Sequence, residues 1–169
     1  PDKSVGHGMT ALQDLENDAE VWKFILELCQ DIGHRLYVFN KKATGIAIAI
    51  RDNELFTKQW QSAIPVPTQS PSSIAKEAFS LFLRSYDWKR PIRSLTVRAI
   101  NLTSLDTPCQ LDMFSDPVKV ARAEALDKTI EELRYRFGKK IIRNACLLDN
   151  PKMSAQDNPN IIMPTGMPQ

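Results

Sequence analysis

The stretch Gly45-Ile46-Ala47-Ile48-Ala49-Ile50-Arg51 alternates large aliphatic side chains with small or basic ones. Successive side chains of a β-strand point to opposite faces of the sheet. The three isoleucines therefore share one face, and Ala47, Ala49 and Arg51 share the other. We predict a strand with one buried face and one open face.

A second strand follows directly. Asp52-Asn53 is typical of a turn, and alternation resumes over 55–64, so the two strands are predicted to form a hairpin. We expect its apolar side, Phe56, Trp60 and Ile64, to face the core. Lys58 interrupts that side, which predicts a position near an edge, where its ammonium reaches water beyond a buried stem.

The flanking segments complete the fold. Asn17 and Glu20 resemble a capping box before an apolar stripe over 17–36, and Ser70-Pro71 starts a second amphipathic helix that runs to about Ser85. Residues 4–10 are a possible edge strand, and 93–101 alternate again. We predict an α+β fold, a split βαββαβ arrangement with a mixed or antiparallel sheet and two helices on one face.

The face away from the helices is predicted to be small, polar or basic: Ala47, Ala49, Arg51, Thr57, Gln59, Gln61, Ser94, Thr96 and Arg98. Such a face offers charge for phosphates and no aromatic platform for bases, which favours binding to a duplex backbone over single-stranded RNA. Candidate phosphate contacts are Arg51, Arg98, Ser94 and Thr96, with Lys41, Lys42, Lys58 and Arg93 nearby. The alternative is a merely solvated sheet face.

Charge supports a polyanionic partner for the middle of the chain. The net charge of the 169 residues is only +2, but residues 35–105 hold 11 basic and 4 acidic side chains, whereas residues 1–34 hold 2 and 7. A basic surface without function has the same composition, so charge alone does not decide.

Several classes of protein are disfavoured. No apolar run approaches a membrane span, and the three cysteines and two histidines have no metal-ligand or disulfide spacing, so we expect a cytoplasmic protein without a metal or cofactor of its own. No acid–base or nucleophile constellation stands out, and we expect neither catalysis nor a small-molecule ligand. The chain begins at Pro1, which suggests a piece of a longer protein.

Beyond the predicted sheet lies a short peptide, Gln110-Leu111-Asp112-Met113-Phe114, in a linker at 106–116. A glutamine with neighbouring apolar anchors can bind a hydrophobic groove on a partner, or the same anchors can staple the following helix onto the sheet. That helix starts near Ser115-Asp116-Pro117, carries Ala121, Leu126, Ile130, Leu133 and Phe137, and is predicted to end at Gly138. Residues 149–169 are predicted to be a flexible tail.

Together these segments resemble the C-terminal part of bacterial Y-family translesion DNA polymerases of the UmuC/DinB type (ImpB/MucB/SamB). The similarity is carried by Lys3-Ser4-Val5-Gly6-His7-Gly8-Met9-Thr10, by the strand with Arg93 and Arg98, and by the peptide at 110–114. The stretch from Ala125-Leu126-Asp127 to Phe137-Gly138 is also similar, so the resemblance covers roughly 1–148.

The resemblance implies a non-catalytic little-finger domain at 1–105 that holds primer–template DNA by its backbone. It also implies a peptide at 110–114 that binds the bacterial sliding clamp, with Met113 in place of the commoner leucine, and a helical segment at 117–148. The palm with its Mg²⁺ ligands is absent, so the parent would be the DNA-directed DNA polymerase, nucleoid-associated and active in DNA repair and the SOS response. The competing hypothesis is a stand-alone RNA-binding or protein-interaction module built on the same sheet.

Overall fold

A computed structural model describes residues 3–105, 117–138, 141–148 and 150–153. Its strands are β1 (Ser4–Leu15), β2 (Lys41–Asp52), β3 (Thr57–Thr68) and β4 (Ile92–Ser104), and its helices are α1 (Asp18–Val38), α2 (Pro71–Ser85) and α3 (Pro117–Phe137). A 3₁₀ turn spans Ala145–Leu147. The sheet order is β1-β4-β2-β3 with every pairing antiparallel, which confirms the predicted α+β fold and its element order.

The start of α1 is fixed by its capping residues. Asn17 is extended, and its side-chain oxygen accepts a hydrogen bond of 3.0 Å from the backbone N–H of Glu20. The Glu20 carboxylate in turn accepts from the N–H of Glu16 at 2.8 Å. The first contact satisfies the N–H of Glu20 in the first turn, as an N-cap does, whereas the second ties Glu20 to the residue before the cap and not to the cap itself, so the capping box is a variant.

The core lies between the sheet and two antiparallel helices. Ile46, Ile48 and Ile50 are buried together with Leu95 and Val97, as the alternation predicts. Against them α1 buries its apolar stripe: Val21, Phe24, Ile25, Leu28, Cys29, Ile32 and Leu36. α2 adds Ile74, Ala78 and Phe82. Both helices cover one face, so the other face of the sheet is open.

β3 is an edge strand and departs from the prediction at both ends. It runs on through Pro65 and Pro67, which an edge strand tolerates because proline has no N–H to donate to a neighbour. At its start, Phe56 lies before the strand and is 61% exposed, so its predicted place in the core is wrong. The reason is the turn that begins at Asp52. The N–H of Phe56 donates to the Asp52 side chain and the N–H of Asp52 donates to the Phe56 carbonyl, so Phe56 belongs to this turn and not to the paired strand.

α3 packs beside α1 mainly through polar contacts. The Glu131 carboxylate, 6% exposed, accepts from His34 Nδ1 at 2.7 Å and from Arg134 Nη1 at 3.1 Å. Leu126 and Phe137, two apolar residues of this helix, are exposed. The helix ends at Gly138, where φ is +95° and the N–H donates to the Arg134 carbonyl, as predicted.

The chain after α3 returns to the first strand. The carbonyl of Lys152 accepts from the N–H of Leu12 at 2.9 Å, and Met153 packs against the core. Residues 150–153, assigned by the sequence pattern to a flexible tail, thus contact the domain. The linker and peptide at 106–116, residue 149 and residues 154–169 lie outside the described residues. No helix within the described ranges has both the length and the apolar character that crossing a bilayer requires.

Candidate nucleic-acid interface

The open face of the sheet is defined by the pairing register, since directly opposite residues of antiparallel strands point to the same side. Arg98 pairs with Gly6 on one side and Ala47 on the other, and Thr96 pairs with Gly8 and Ala49. We use the name open face for these paired positions: Ser4, Gly6, Gly8, Thr10, Gly45, Ala47, Ala49, Arg51, Thr57, Gln59, Gln61, Ala63, Ser94, Thr96, Arg98 and Ile100. Every residue predicted for this face lies on it.

Arg51 and Arg98 are the charged groups of the open face. Both side chains are exposed, and neither has an ion pair or hydrogen bond within the described part of the chain. None of the sixteen positions is acidic or aromatic. The two guanidinium groups are therefore available to an anionic ligand, with no carboxylate beside them and no ring on which a base would stack.

The other predicted basic residues separate into two groups. Lys41 stands at the beginning of β2, opposite Ser104, beyond the regular alternation that starts at Gly45. Lys58 pairs with Ile50 and so points toward the helix side of the edge strand, as expected from its interruption of the apolar side. The ammonium of Lys42 lies 3.6 Å from Glu124 of α3. The structure does not bring Lys42 and Lys58 together with Arg98.

Arg93 is also engaged elsewhere. Its Nη1 donates to Asp14 Oδ1 at 3.2 Å, which ties β4 to the end of β1. The regular register of β2 and β4 breaks here, because Arg51 pairs with Ser94 whereas Asp52 pairs with Ile92. Ile92 is buried as a result. A simple alternation through 92–98 does not predict this irregularity or the distant acid.

Two glycines on β1 let the side chains of β4 lie flat. A Cβ added to Gly6 would sit 2.6 Å from Arg98 Cγ, and one added to Gly8 only 2.4 Å from Thr96 Oγ1. The stems of Arg98 and Thr96 therefore lean over the backbone of β1. The Gly-His-Gly spacing could have predicted this approach, because glycine inside a strand often marks a site where another group comes close.

The open face suits recognition of a repeated phosphate better than recognition of a sequence. Arg51 is level with Ser94, four residues from Arg98, so the backbone positions of the two arginines are about 14 Å apart along the strand at 3.4 Å per residue. Hydroxyl and amide groups occupy the positions around them, namely Ser94, Thr96, Gln59 and Gln61. Such groups make the phosphate contacts that position a protein on a duplex.

The buried thiol offers no alternative chemistry. Cys29 lies in α1 under the sheet, and burial raises the pKa of its thiol well above the ordinary value. The reactive form of cysteine is the thiolate. Cys29 is therefore inert at neutral pH and acts as a small core residue.

Comparison with known proteins supports the fold and assigns the family. The model of the impB/mucB/samB family C-terminal domain matches residues 2–113. A DNA polymerase IV of Acetivibrio thermocellus is 37% identical over 150 residues, which are 89% of this chain and 38% of that protein. A DNA polymerase IV 2 of Halalkalibacterium halodurans is 31% identical over 85% of this chain and 34% of its own length. The chain thus spans little more than a third of these relatives.

A solved structure shares the fold. A Y-family DNA polymerase chimera superimposes with a TM-score of 0.52 over 62% of this chain and 30% of its own, at 16% sequence identity. With the family model covering most of the chain and the sheet order and helix layer as described, the chain belongs to the impB/mucB/samB C-terminal domain family, the little-finger domain of Y-family DNA polymerases.

Proposed function

We propose that this domain holds primer–template DNA by its phosphate backbone, without reading bases, on the open face of the sheet. The observation that carries the proposal is a pair of exposed cations, Arg51 and Arg98, without a partner among the described residues, on a surface whose paired positions hold no acid and no aromatic ring. Backbone contacts give affinity that does not depend on base identity. That property suits a polymerase that accepts damaged templates.

The proposal is tested by the salt dependence of duplex binding. We expect Arg98→Ala to weaken binding of fluorescent primer–template duplexes by roughly five- to tenfold at about 0.1 M salt. The slope of log K against log salt should fall by about 1 for each lost phosphate contact. The loss should be equal on two duplexes of unrelated sequence, and Arg51→Ala should behave alike.

Arg93→Ala is the matched control, because it removes the same charge from a guanidinium already engaged by Asp14. It should change the affinity and the slope less than Arg98→Ala does. Equal losses in both variants would mean that net charge, not the open face, governs binding. Preference for single-stranded RNA over the duplex would favour the alternative module.

We further propose that the chain is organised as a DNA-binding domain at 1–105, a linker at 106–116 with a sliding-clamp peptide, and a helical segment at 117–148. The proposed peptide residues, Gln110, Leu111, Asp112, Met113 and Phe114, lie outside the described residues. Their support is the pattern of an amide donor followed by apolar anchors. A tether of this kind raises the local concentration of the domain at DNA and so supplies processivity.

Calorimetric titration against a bacterial sliding clamp tests the peptide. We expect micromolar binding, and Phe114→Ala should weaken it by at least tenfold, as truncation of a central anchor does. Phe137→Ala is the control, since it removes an equally large, exposed ring from the end of α3. Binding that survives Phe114→Ala would mean that the peptide does not bind the clamp and that its apolar residues pack the following helix onto the sheet.

The activity of the longer protein to which this chain would belong is part of the same proposal. The curated relatives are about three times as long as the part that matches this chain, and each is named a DNA polymerase IV. We propose that this chain is part of a lesion-bypass DNA polymerase. Nucleotidyl transfer, with its metal ions, would then belong to portions of the longer protein outside this chain.

A further inference from the structure

The outward side of the helix layer carries an open apolar groove of about 700 Å³ between the start of α1 and the end of α2. We call it the helix groove. Trp22 of α1 and Phe79 of α2 line it, with ring centroids 5.2 Å apart. Leu83, 50% exposed, adds an aliphatic wall. Exposed apolar side chains that cluster inside a rim of polar residues are a feature of interaction sites.

The same helix pair accepts a helix at its other end. Leu26 of α1 lies one turn beyond Trp22 on the same face, and with Pro71 it lines a cavity that Leu126 and Ile130 of α3 close. α3 brings a carboxylate to that end, where Glu131 accepts from His34. The layer of α1 and α2 thus already contacts one helix, α3, mainly through an acidic group and over only part of its length.

The charges at the uncovered end define what would fit there. Lys76 and Arg84 of α2 stand on either side of Phe79 and line the helix groove. Within the described ranges neither has a carboxylate partner, and Arg84 Nε only donates to the Ser80 carbonyl. An aromatic floor with two free cations on its rim complements apolar anchors flanked by acids.

We propose that the helix groove docks an amphipathic, acidic helix of a partner protein. Its apolar residues would pack on Trp22, Phe79 and Leu83, and its carboxylates would face Lys76 and Arg84. The helices cover the side of the sheet opposite to the open face, so a docked helix and a ligand on the open face do not compete for one surface.

A designed peptide tests the proposal on the complete 169-residue chain. The probe is a fluorescein-labelled helix of about 16 residues with leucine at positions i, i+3, i+4 and i+7 and glutamate at the flanks. Its matched partner carries lysine in place of each glutamate. We expect the acidic peptide to bind at about 10–300 μM and the lysine peptide at least about tenfold more weakly.

Two substitutions locate the site. Leu83→Ser should weaken binding of the acidic peptide by at least about fivefold, because it removes an exposed anchor from the groove wall. Leu55→Ser removes an exposed leucine from the β2–β3 turn and should change nothing. Both side chains are at least half exposed, so both variants should fold, which unchanged thermal melting and duplex affinity will show.

Other results would overturn the proposal. Equal affinity for both peptides, no binding at millimolar concentration, or binding unaffected by Leu83→Ser would each exclude an acidic helix in the groove. Self-association lost in Leu83→Ser would identify a second copy of the chain as the occupant. Peptide binding seen only in a variant that ends at Met153 would identify residues 154–169 as the occupant.

Discussion

Gly33 is the residue that sets how closely the two covering helices approach. It is buried in α1, and a Cβ added there would lie 2.4 Å from Pro71 Cγ, 2.9 Å from Pro71 Cδ and 3.1 Å from the Gln69 carbonyl oxygen. Neither a proline ring nor a backbone carbonyl can turn aside as a long side chain can. The contact joins the last third of α1 to the first turn of α2.

We predict that Gly33→Ala destabilises the domain, although alanine is the better helix former. The gain in helix propensity is about 1 kcal/mol. Overpacking a core contact costs about 1–3 kcal/mol, and here the neighbour is rigid, so the free energy of unfolding should fall by about 1–2 kcal/mol. Urea denaturation monitored by tryptophan fluorescence measures it.

Pro71→Ala provides the test of cause. If the ring is the obstacle, Gly33→Ala should cost less in the Pro71→Ala background than in the natural chain, and the two substitutions should couple. A Gly33→Ala variant as stable as the natural chain would show that the helices can separate freely at this point.

At the scale of elements, the alternation of apolar and polar residues predicts the two faces of a strand correctly wherever the strand pairing is regular. β2 and β4 pair regularly from Gly45–Ile100 to Arg51–Ser94, so the isoleucines of β2 and the small residues between them lie on the predicted faces. The prediction failed for Phe56, whose position depends on a turn held by the side chain of Asp52. A contact of this kind between a side chain and a turn leaves no two-residue periodicity in the sequence.

The partners of the basic residues were not predictable either. Asp14 and Arg93 are 79 positions apart, and Lys42 meets Glu124 on a helix outside the sheet. Only the fold brings these charges together, so sequence alone could not separate the engaged cations from the available Arg51 and Arg98. The helix groove is not predictable from sequence for a related reason. Trp22 and Phe79 lie within the two predicted amphipathic helices, and an apolar stripe does not show which of its residues point past the core.

At the scale of the whole molecule, Lys152 connects the end of the described chain to its beginning. Its ammonium donates to the Asp14 carbonyl at 2.9 Å and pairs with Glu20 Oε1 at 2.8 Å, and its carbonyl accepts from Leu12. One residue thus joins the last part of β1, the first turn of α1 and the segment after α3. The buried Leu147 fixes the same segment a few residues earlier.

We predict that Lys152→Ala loosens this segment and lowers the free energy of unfolding by about 1 kcal/mol, the size expected for a partly buried ion pair with one further hydrogen bond. The amide of Leu12 should lose protection from hydrogen exchange. Lys128→Ala is the control, since Lys128 is an exposed lysine of α3 without a partner in the described ranges.

The pH dependence identifies Glu20 as the partner. Partial burial acts to raise the pKa of Glu20, but the hydrogen bond from Lys152, the N–H of Glu16 and the charge of Lys152 outweigh it, and the pKa lies below the ordinary 4.5. A lowered pKa stabilises the fold above the unfolded value, and that stabilisation disappears as pH falls through the folded value. The natural chain and Lys152→Ala should therefore differ more in stability at about pH 7 than at about pH 3. An equal difference at both pH values would mean that the Asp14 carbonyl, not Glu20, holds Lys152, and Glu20→Gln would then leave the segment in place.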